Sequence, residues 1–252
     1  MGYIKLMVIH IITETKDFLA INKPAGLLVH GVFDKHGPKH SELTLVDWLL
    51  KHYPDIKDVG DAPVHSSQVP WRPGIVHRLD RETSGVLIIA RNQASFEYLK
   101  TLFQTKNIEK KYTALVWGKS EKRGVVDRPI SIKDGSVKRT VFLGKMPRPA
   151  RTEYERIGLY KEGKNFLSLL DVWPKTGRTH QIRVHLSSIG HSVVGDKLYG
   201  KKSDLPGLER HFLHASEINF TDREGNRQQI KAALPEDLQK VLDSLEKEPT
   251  ED

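Results

Sequence analysis

Short apolar stretches separated by Gly, Pro and Asn turns recur along this chain, many at spacings too short for a crossover helix. Strands are predicted at residues 17–22, 86–90, 111–117, 165–173 and 212–220. Parallel neighbours need a connection of about a dozen residues or more, whereas antiparallel neighbours can be joined by a tight turn. The pattern therefore predicts an α+β domain with a mixed, mainly antiparallel central sheet flanked by helices, and argues against a doubly wound fold.

Four helices are predicted from apolar periodicity and capping residues. They cover residues 43–53, residues 93–104 with Asn92 as N-cap, residues 178–189 ending at Gly190, and a segment opened by Pro235. A further short strand is predicted at residues 27–30, and a long Pro- and Gly-rich loop at 54–74. We expect a single domain over residues 1–245, followed by a frayed tail at residues 246–252.

The net charge of +8 lies entirely in the middle of the chain. Residues 101–160 hold 14 basic and 6 acidic side chains, and the remainder is balanced. A local basic excess indicates a polyanionic partner, most often nucleic acid, although a merely solvated basic surface is the alternative. The chain has no Cys, which excludes disulfides and thiol catalysis and is compatible with a cytoplasmic location. No apolar run approaches the roughly 18 residues that span a bilayer.

The segment at residues 73–85 concentrates charged side chains around one carboxylate. Asp80 stands between Arg78 and Arg81 and just before the apolar strand at 86–90. Because nearby positive charge favours the anion, Asp80 is expected to stay ionised and could act as a nucleophile or a base. The alternative from the residues alone is a surface ion-pair cluster.

A second segment, residues 175–185, offers many hydrogen-bond donors. On the predicted helix His180 and Arg183 share a face, and Arg178 and Gln181 add donors for a phosphate or a carboxylate. His180 and His185 are five residues apart and no HExxH pattern is present, so no metal site is predicted. Neither GxGxxG nor GxxxxGK[ST] occurs, so no nucleotide cofactor is expected.

Several segments in order resemble the RluA-type pseudouridine synthases, over nearly the whole chain. They are residues 22–30 (NKPAGLLVH), 74–91 (GIVHRLDRETSGVLIIAR), the strand around Tyr112, 176–185 (TGRTHQIRVH), 190–200 (GHSVVGDKLYG) and 213–215. The resemblance implies the pseudouridine synthase catalytic fold with an RNA-binding cleft. Since the pattern starts by about residue 8, we expect this chain to lack the small N-terminal RNA-binding domain of many relatives.

The resemblance implies an isomerase that converts uridine to pseudouridine in ribosomal RNA of the large subunit or in transfer RNA, without a cofactor or metal. It makes Asp80 the catalytic carboxylate, whether as nucleophile or as base. Arg183 is the cation expected to pair with Asp80. Tyr112 is expected to stack on the target base, and Arg78 to enter the RNA stack where the uridine leaves.

Position within the same motifs also makes five residues candidate RNA or substrate contacts: His77, Leu79, Arg178, His180 and Gln181. The basic segment 101–160 is the expected docking surface for RNA phosphates, and the protein is expected to be monomeric. Two alternatives remain open, a non-catalytic RNA-binding protein on the same scaffold and an unrelated Asp-dependent hydrolase. The first predicts that Asp80→Asn leaves all activity intact.

Overall fold

The computed structural model describes residues 8–34, 37–39, 43–61, 72–133, 138–142, 144–200 and 205–249. Its helices are α1 (Leu45–His52), α2 (Gln93–Thr105), α3 (Gln181–Ser188), α4 (Glu236–Asp243) and a short 3₁₀ helix at Pro54–Asp58. The strands of the first half are β1 (His10–Glu14), β2 (Phe18–Lys23), β3 (Val32–Asp34), β4 (Gly37–Lys39), β5 (Ser84–Ala90) and β6 (Glu109–Trp117). The later strands are β7 (Arg123–Asp127), β8 (Ile130–Ile132), β9 (Arg139–Thr140), β10 (Lys145–Arg148), β11 (Arg151–Glu162), β12 (Asn165–Pro174), β13 (Leu213–Thr221), β14 (Arg227–Lys231) and β15 (Glu246–Lys247).

The chain divides into two compact units. Unit 1 comprises residues 1–108 and 219–232, and unit 2 comprises residues 109–218 and 233–252.

Unit 1 is built on the antiparallel strands β1, β2 and β5, in that order. Every residue of β5 is buried, as expected for a continuous apolar strand. The helix α2 follows directly, and its first turn is capped by the Asn92 side chain, which accepts a hydrogen bond from the Ser95 backbone N–H at 2.8 Å. Phe96 and Leu99 are buried on the inner face of this helix.

Unit 2 contains an antiparallel sheet in which β6 pairs with β12 and β12 pairs with β11, while β7 and β15 both pair with β11. Alternate residues of β6 enter different apolar clusters, since successive side chains of a strand point to opposite faces. Ala114 and Val116 share one cluster with Ile182 and Leu186 of α3, and Leu115 and Trp117 share another with Leu238 and Val241 of α4. The sheet thereby seats α3 against one face of β6.

The predicted α+β class with a mainly antiparallel sheet is confirmed. The strand predicted at residues 27–30 was wrong, since these residues form no strand. Near the end of the chain, Glu246 and Lys247 pair with β11, and the Glu248 backbone N–H donates to the Leu159 carbonyl. Residues 62–71 of the predicted long loop lie outside the described residues.

Candidate active site

The turn that carries Asp80 is fixed on both sides in unit 1. Before it, Ile75 forms an isolated bridge with Ile89 of β5. Gly74 makes this approach feasible, since a Cβ there would lie 2.6 Å from the Ala90 carbonyl oxygen and its φ of +69° is unfavourable for other residues. After it, the Thr83 backbone N–H donates to the Asp80 carbonyl at 3.1 Å. Asp80 itself is partly buried at the end of this segment.

A buried lysine ties the Asp80 turn to the segment after β2. Lys23 is fully buried, and its Nζ donates to the carbonyls of Pro24, Leu27 and Arg81 at 2.7, 2.9 and 3.0 Å. The Gly26 backbone N–H donates to the same Arg81 carbonyl at 2.9 Å. Because Arg81 follows Asp80 directly, these bonds hold the backbone beside the carboxylate.

His30 supports Arg78, the exposed arginine two residues before Asp80. Arg78 Nη1 donates to His30 Nε2 at 2.9 Å, and His30 Nδ1 donates to the Gly31 carbonyl at 2.9 Å. Burial lowers the pKa of His30 to about 4, so the ring is neutral at pH 7 and its Nε2 can accept. In the sequence His30 stands out only as the last residue of the 22–30 motif, which carries no sign of its bond to Arg78.

His77 and Leu79, the neighbours of Arg78, make contacts within unit 1. His77 Nε2 accepts a hydrogen bond from the Ile88 backbone N–H at 2.9 Å, and its ring stacks on Phe103 with centroids 4.5 Å apart. Leu79 is buried. These contacts give both residues a structural use, and their predicted contacts with RNA stay predictions.

Arg183 and Asp196 form a buried ion pair in unit 2. Arg183 lies on α3 and donates through Nε and Nη2 to Asp196 Oδ2 and Oδ1 at 2.7 and 2.8 Å. Asp196 Oδ1 also accepts the backbone N–H groups of Leu198 and Tyr199. Burial alone would raise the pKa of Asp196, but these bonds outweigh it and hold that pKa below its usual range. The predicted partner of Arg183, Asp80, stays a prediction.

Tyr199 also contacts Arg183. Its ring centroid lies 5.3 Å from the Arg183 Cζ, within the range of a cation–π contact. Its hydroxyl accepts the Arg139 backbone N–H at 2.7 Å and lies 2.9 Å from His180 Nδ1. The guanidinium is therefore held by a carboxylate and an aromatic ring.

The helix α3 begins at Gln181, three residues later than predicted, so Arg178 and His180 lie in the preceding loop. Gln181 is buried, and its Oε1 accepts from the Thr176 hydroxyl at 2.6 Å and the Arg178 backbone N–H at 3.0 Å. His180 has a φ of +57°, outside the helical range. The expectation that His180 shares a helix face with Arg183 was therefore wrong.

Gln181 and Arg178 also bond to the neighbouring segment at residues 149–152. The Gln181 amide nitrogen donates to the Arg151 carbonyl at 2.9 Å and the Thr152 hydroxyl at 3.0 Å, and Arg178 Nε donates to the Pro149 carbonyl at 3.1 Å. Gln181 thus organises the loop from inside the protein. Contacts of Arg178, His180 and Gln181 with RNA stay predictions.

Tyr112 lies on β6, within unit 2. Its partly buried ring packs against the apolar cluster that includes Val172 and Ile182. Ile182 precedes Arg183 on α3, so the cluster joins the strand of Tyr112 to the helix of Arg183. Within the described ranges, no three His, Asp or Glu side chains are grouped closely enough to hold a metal ion, and no helix is long and apolar enough to cross a membrane.

A match to one protein family identifies the class to which this chain belongs. Residues 17–188 match the family model described as RNA pseudouridylate synthase. That match spans more than half of the chain and includes Asp80, Tyr112 and Arg183. The chain belongs to the RNA pseudouridylate synthase family, which confirms the resemblance seen in its motifs.

Individual relatives support the same assignment. An RNA pseudouridine synthase of Chloroflexus aurantiacus is 41% identical over 226 residues, which are 89% of this chain and 66% of the relative. The ribosomal large subunit pseudouridine synthase D of Nitrosomonas europaea is 38% identical over 250 residues, or 95% of this chain and 66% of the relative. The chain thus spans just under two thirds of the length of these relatives.

Solved structures share the fold. Human RNA Pseudouridylate Synthase Domain Containing 1 superposes with a TM-score of 0.74 at 24% identity, over 98% of this chain and 92% of that one. This likeness concerns the fold, which agrees with the family assignment.

Proposed function

We propose that this protein isomerises uridine to pseudouridine within RNA, with Asp80 as the catalytic carboxylate. The observation that carries the proposal is the position of Asp80. It lies within the part of the chain that matches the family, in a turn that Lys23 and Gly26 hold by donating to the Arg81 carbonyl. In the reaction the bond from N1 to C1′ breaks, the uracil rotates, and a bond from C5 to C1′ forms. C5 loses its proton and N1 gains one, so the product is an isomer and no external energy source is needed.

An ionised Asp80 serves either of two first steps. It can attack C1′ of the ribose as the uracil leaves, or it can remove a proton from the sugar. We propose that Arg183 pairs with Asp80 and keeps it ionised. The two bonds from Arg183 to Asp196 support this role, because they orient the guanidinium, whose five N–H donors allow it to bind two carboxylates.

The target uridine must leave its stack before its glycosidic bond can be reached. Extruding a base costs a few kcal/mol, least where the RNA is single-stranded or looped. We propose that Tyr112 stacks on the flipped uracil and that Arg78 fills the space it leaves. The exposed position of Arg78 and its bond to His30 support this role, since they hold a cationic side chain towards solvent.

Strand β10 and its surroundings, within the basic segment 101–160, are the proposed docking surface for RNA. Strand β10, Lys145–Arg148, is exposed along its whole length, and Phe142 nearby is 72% exposed. Basic side chains next to exposed apolar ones suit single-stranded RNA, which offers phosphates and unstacked bases. We propose that these residues bind RNA beyond the target nucleotide.

Ribosomal RNA of the large subunit is the proposed substrate, since the Nitrosomonas europaea relative is named for it. Such a substrate implies a cytoplasmic enzyme. We further propose that the protein acts as a monomer and without a metal. The test is to incubate it with unmodified large-subunit ribosomal RNA and, separately, with unmodified transfer RNA, and to map pseudouridine in both. Pseudouridine in neither RNA would refute the proposed activity, and pseudouridine in transfer RNA alone would refute the proposed substrate.

A further inference from the structure

Lys110 lies two residues before Tyr112 on β6, so both side chains leave the same face of the strand. This is the face on which Ala114 and Val116 pack with α3. Two residues of a strand span about 7 Å, a separation comparable with that between a base and its own phosphate in a nucleotide. A nucleotide whose base stacks on Tyr112 would therefore bring its phosphate within reach of Lys110.

The ammonium of Lys110 lies beside the loop that precedes α3. Its Nζ donates to the Thr176 carbonyl at 3.4 Å, which is long for a hydrogen bond. A Cβ placed on the exposed Gly177 would lie 3.9 Å from the same Nζ. The ammonium is thus next to a segment of backbone that faces solvent and carries no side chain at Gly177.

Among the described residues, the positive charge of Lys110 is not compensated by an ion pair, and its three donors meet a single carbonyl. Burial lowers the pKa of Lys110 to about 8. A desolvated ammonium of this kind is stabilised by an arriving anion, because the anion supplies the charge that the protein does not.

The next residue, Lys111, shows the opposite arrangement. It lies on the other face of β6, and its Nζ is 3.4 Å from Asp171 Oδ2 and 3.5 Å from Glu217 Oε2. Its charge is thus compensated inside unit 2. Of the two adjacent lysines, Lys111 is paired with carboxylates and Lys110 is not, among the described residues. Only the charge of Lys110 is therefore available to an external anion.

We propose that Lys110 binds a backbone phosphate of the RNA at or beside the uridine whose base stacks on Tyr112. The inference rests on the proposed function and adds a phosphate contact to it. The contact acts in binding: it fixes the sugar–phosphate backbone next to the base, and it takes no part in the proton transfers.

The salt dependence of RNA binding tests this directly. Each phosphate neutralised in single-stranded RNA contributes about 0.7 to the slope of log K against log salt concentration. Lys110→Gln should therefore reduce that slope by about 0.7–1. It should also raise KM for a ribosomal RNA fragment about tenfold, the usual size for a lost charge-assisted bond, while kcat changes less than threefold. Lys110→Arg should restore the slope and KM to near their wild-type values.

Lys111→Gln is the matched control, since it removes the same charge from the adjacent position. It should lower the melting temperature, because Asp171 and Glu217 lose their ion pairs with Lys111, but leave the slope and KM near their wild-type values. The proposal is overturned if Lys110→Gln keeps the wild-type slope and KM, or if Lys111→Gln lowers the slope and raises KM by as much as Lys110→Gln does. Should Lys110→Gln fail to fold, Lys110→Met and Lys110→Arg provide the same comparison.

Failure of this proposal is distinct from failure of the proposed function. A wild-type protein that forms pseudouridine, with Lys110→Gln indistinguishable from it, would refute the phosphate contact alone. A wild-type protein that binds RNA but forms no pseudouridine would refute the function, while the comparison of slopes would still decide whether Lys110 meets a phosphate.

Discussion

Arg183 and Asp196 are joined by two hydrogen bonds, and the side chain of Asp196 is entirely buried. The arginine is three residues into α3, and the aspartate is in the loop between that helix and β13. Two further bonds from backbone N–H groups fix the carboxylate in turn. The position of the guanidinium is thus set by a carboxylate outside its own helix.

Replacing Asp196 should therefore affect both stability and catalysis. Breaking a buried ion pair by removing one partner costs about 3–5 kcal/mol, because the other charge stays buried without compensation. We expect Asp196→Asn to lower the free energy of unfolding by that amount. A displaced Arg183 should also lower kcat about 10²-fold, since a shift of 1 Å in a catalytic group costs this much. Denaturant titration and single-turnover rates measure the two effects.

The pair of Arg210 and Asp237 is the control for losing an ion pair as such. It has similar geometry, with bonds of 2.6 and 3.1 Å, but the Asp237 side chain is 50% exposed. Asp237→Asn should lower stability less and leave kcat unchanged. A wild-type kcat in folded Asp196→Asn would contradict the positioning role.

Lys23 should stabilise the folded protein through the backbone carbonyls to which it donates. Lys23→Met removes the described donor of the Pro24 and Leu27 carbonyls, while the Arg81 carbonyl keeps the Gly26 N–H, and each unsatisfied buried group costs about 1–3 kcal/mol. We expect a loss of roughly 3 kcal/mol or more in the free energy of unfolding, measured by urea titration. Lys100→Met, which removes an exposed pair with Asp61, should change it by less than about 1 kcal/mol. Equal losses of stability in the two variants would contradict this role of Lys23.

His30 should make stability depend on pH. The pKa of a histidine in the unfolded chain is near 6.5, and burial lowers that of folded His30 to about 4. Between these values the unfolded chain takes up a proton that the folded protein does not, so the free energy of unfolding falls as the pH falls. From pH 7 to pH 5 the wild type should lose about 1–2 kcal/mol more than His30→Gln, which cannot be protonated. Denaturant titrations at both pH values measure this, and equal losses would contradict the assignment.

Chelation of metals should leave the reaction unchanged. The proposed steps use a carboxylate and an arginine, and no grouping of potential metal ligands occurs among the described residues. Protein and RNA passed over a chelating resin and assayed with a chelator at fixed ionic strength should keep the wild-type rate. A loss of rate that added Zn²⁺ restores would contradict the metal-free mechanism.

Local sequence signals predicted the parts of the fold that depend on local interactions. The continuous apolar run of β5 and the Asn92 cap of α2 are examples, because burial and capping act within a few residues. The start of α3 was misplaced because Gln181 bonds to Arg151 and Thr152, which are about thirty residues away. The pairing of residues 246–247 with β11 is also a long-range effect without a local pattern.

In the candidate site, too, local motifs identified some residues, while long-range contacts determined others. Asp80, Tyr112 and Arg183 were selected by their motifs, but the residues that support them were not. The bond from Arg78 to His30 joins residues 48 apart, and Arg183 meets Asp196 across a turn. The only available signal was that His30 and Asp196 both lie within segments that resemble the family.

Release of tritium from RNA that carries [5-³H]uridine tests whether Asp80 drives the isomerisation, since the C5 proton leaves only when C5 bonds to C1′. We expect the wild-type protein to release tritium from large-subunit ribosomal RNA in proportion to the pseudouridine formed. Asp80→Ala should bind the same RNA with near wild-type affinity and release none. Full release by Asp80→Ala, or no release by the wild-type protein from any cellular RNA, would contradict it.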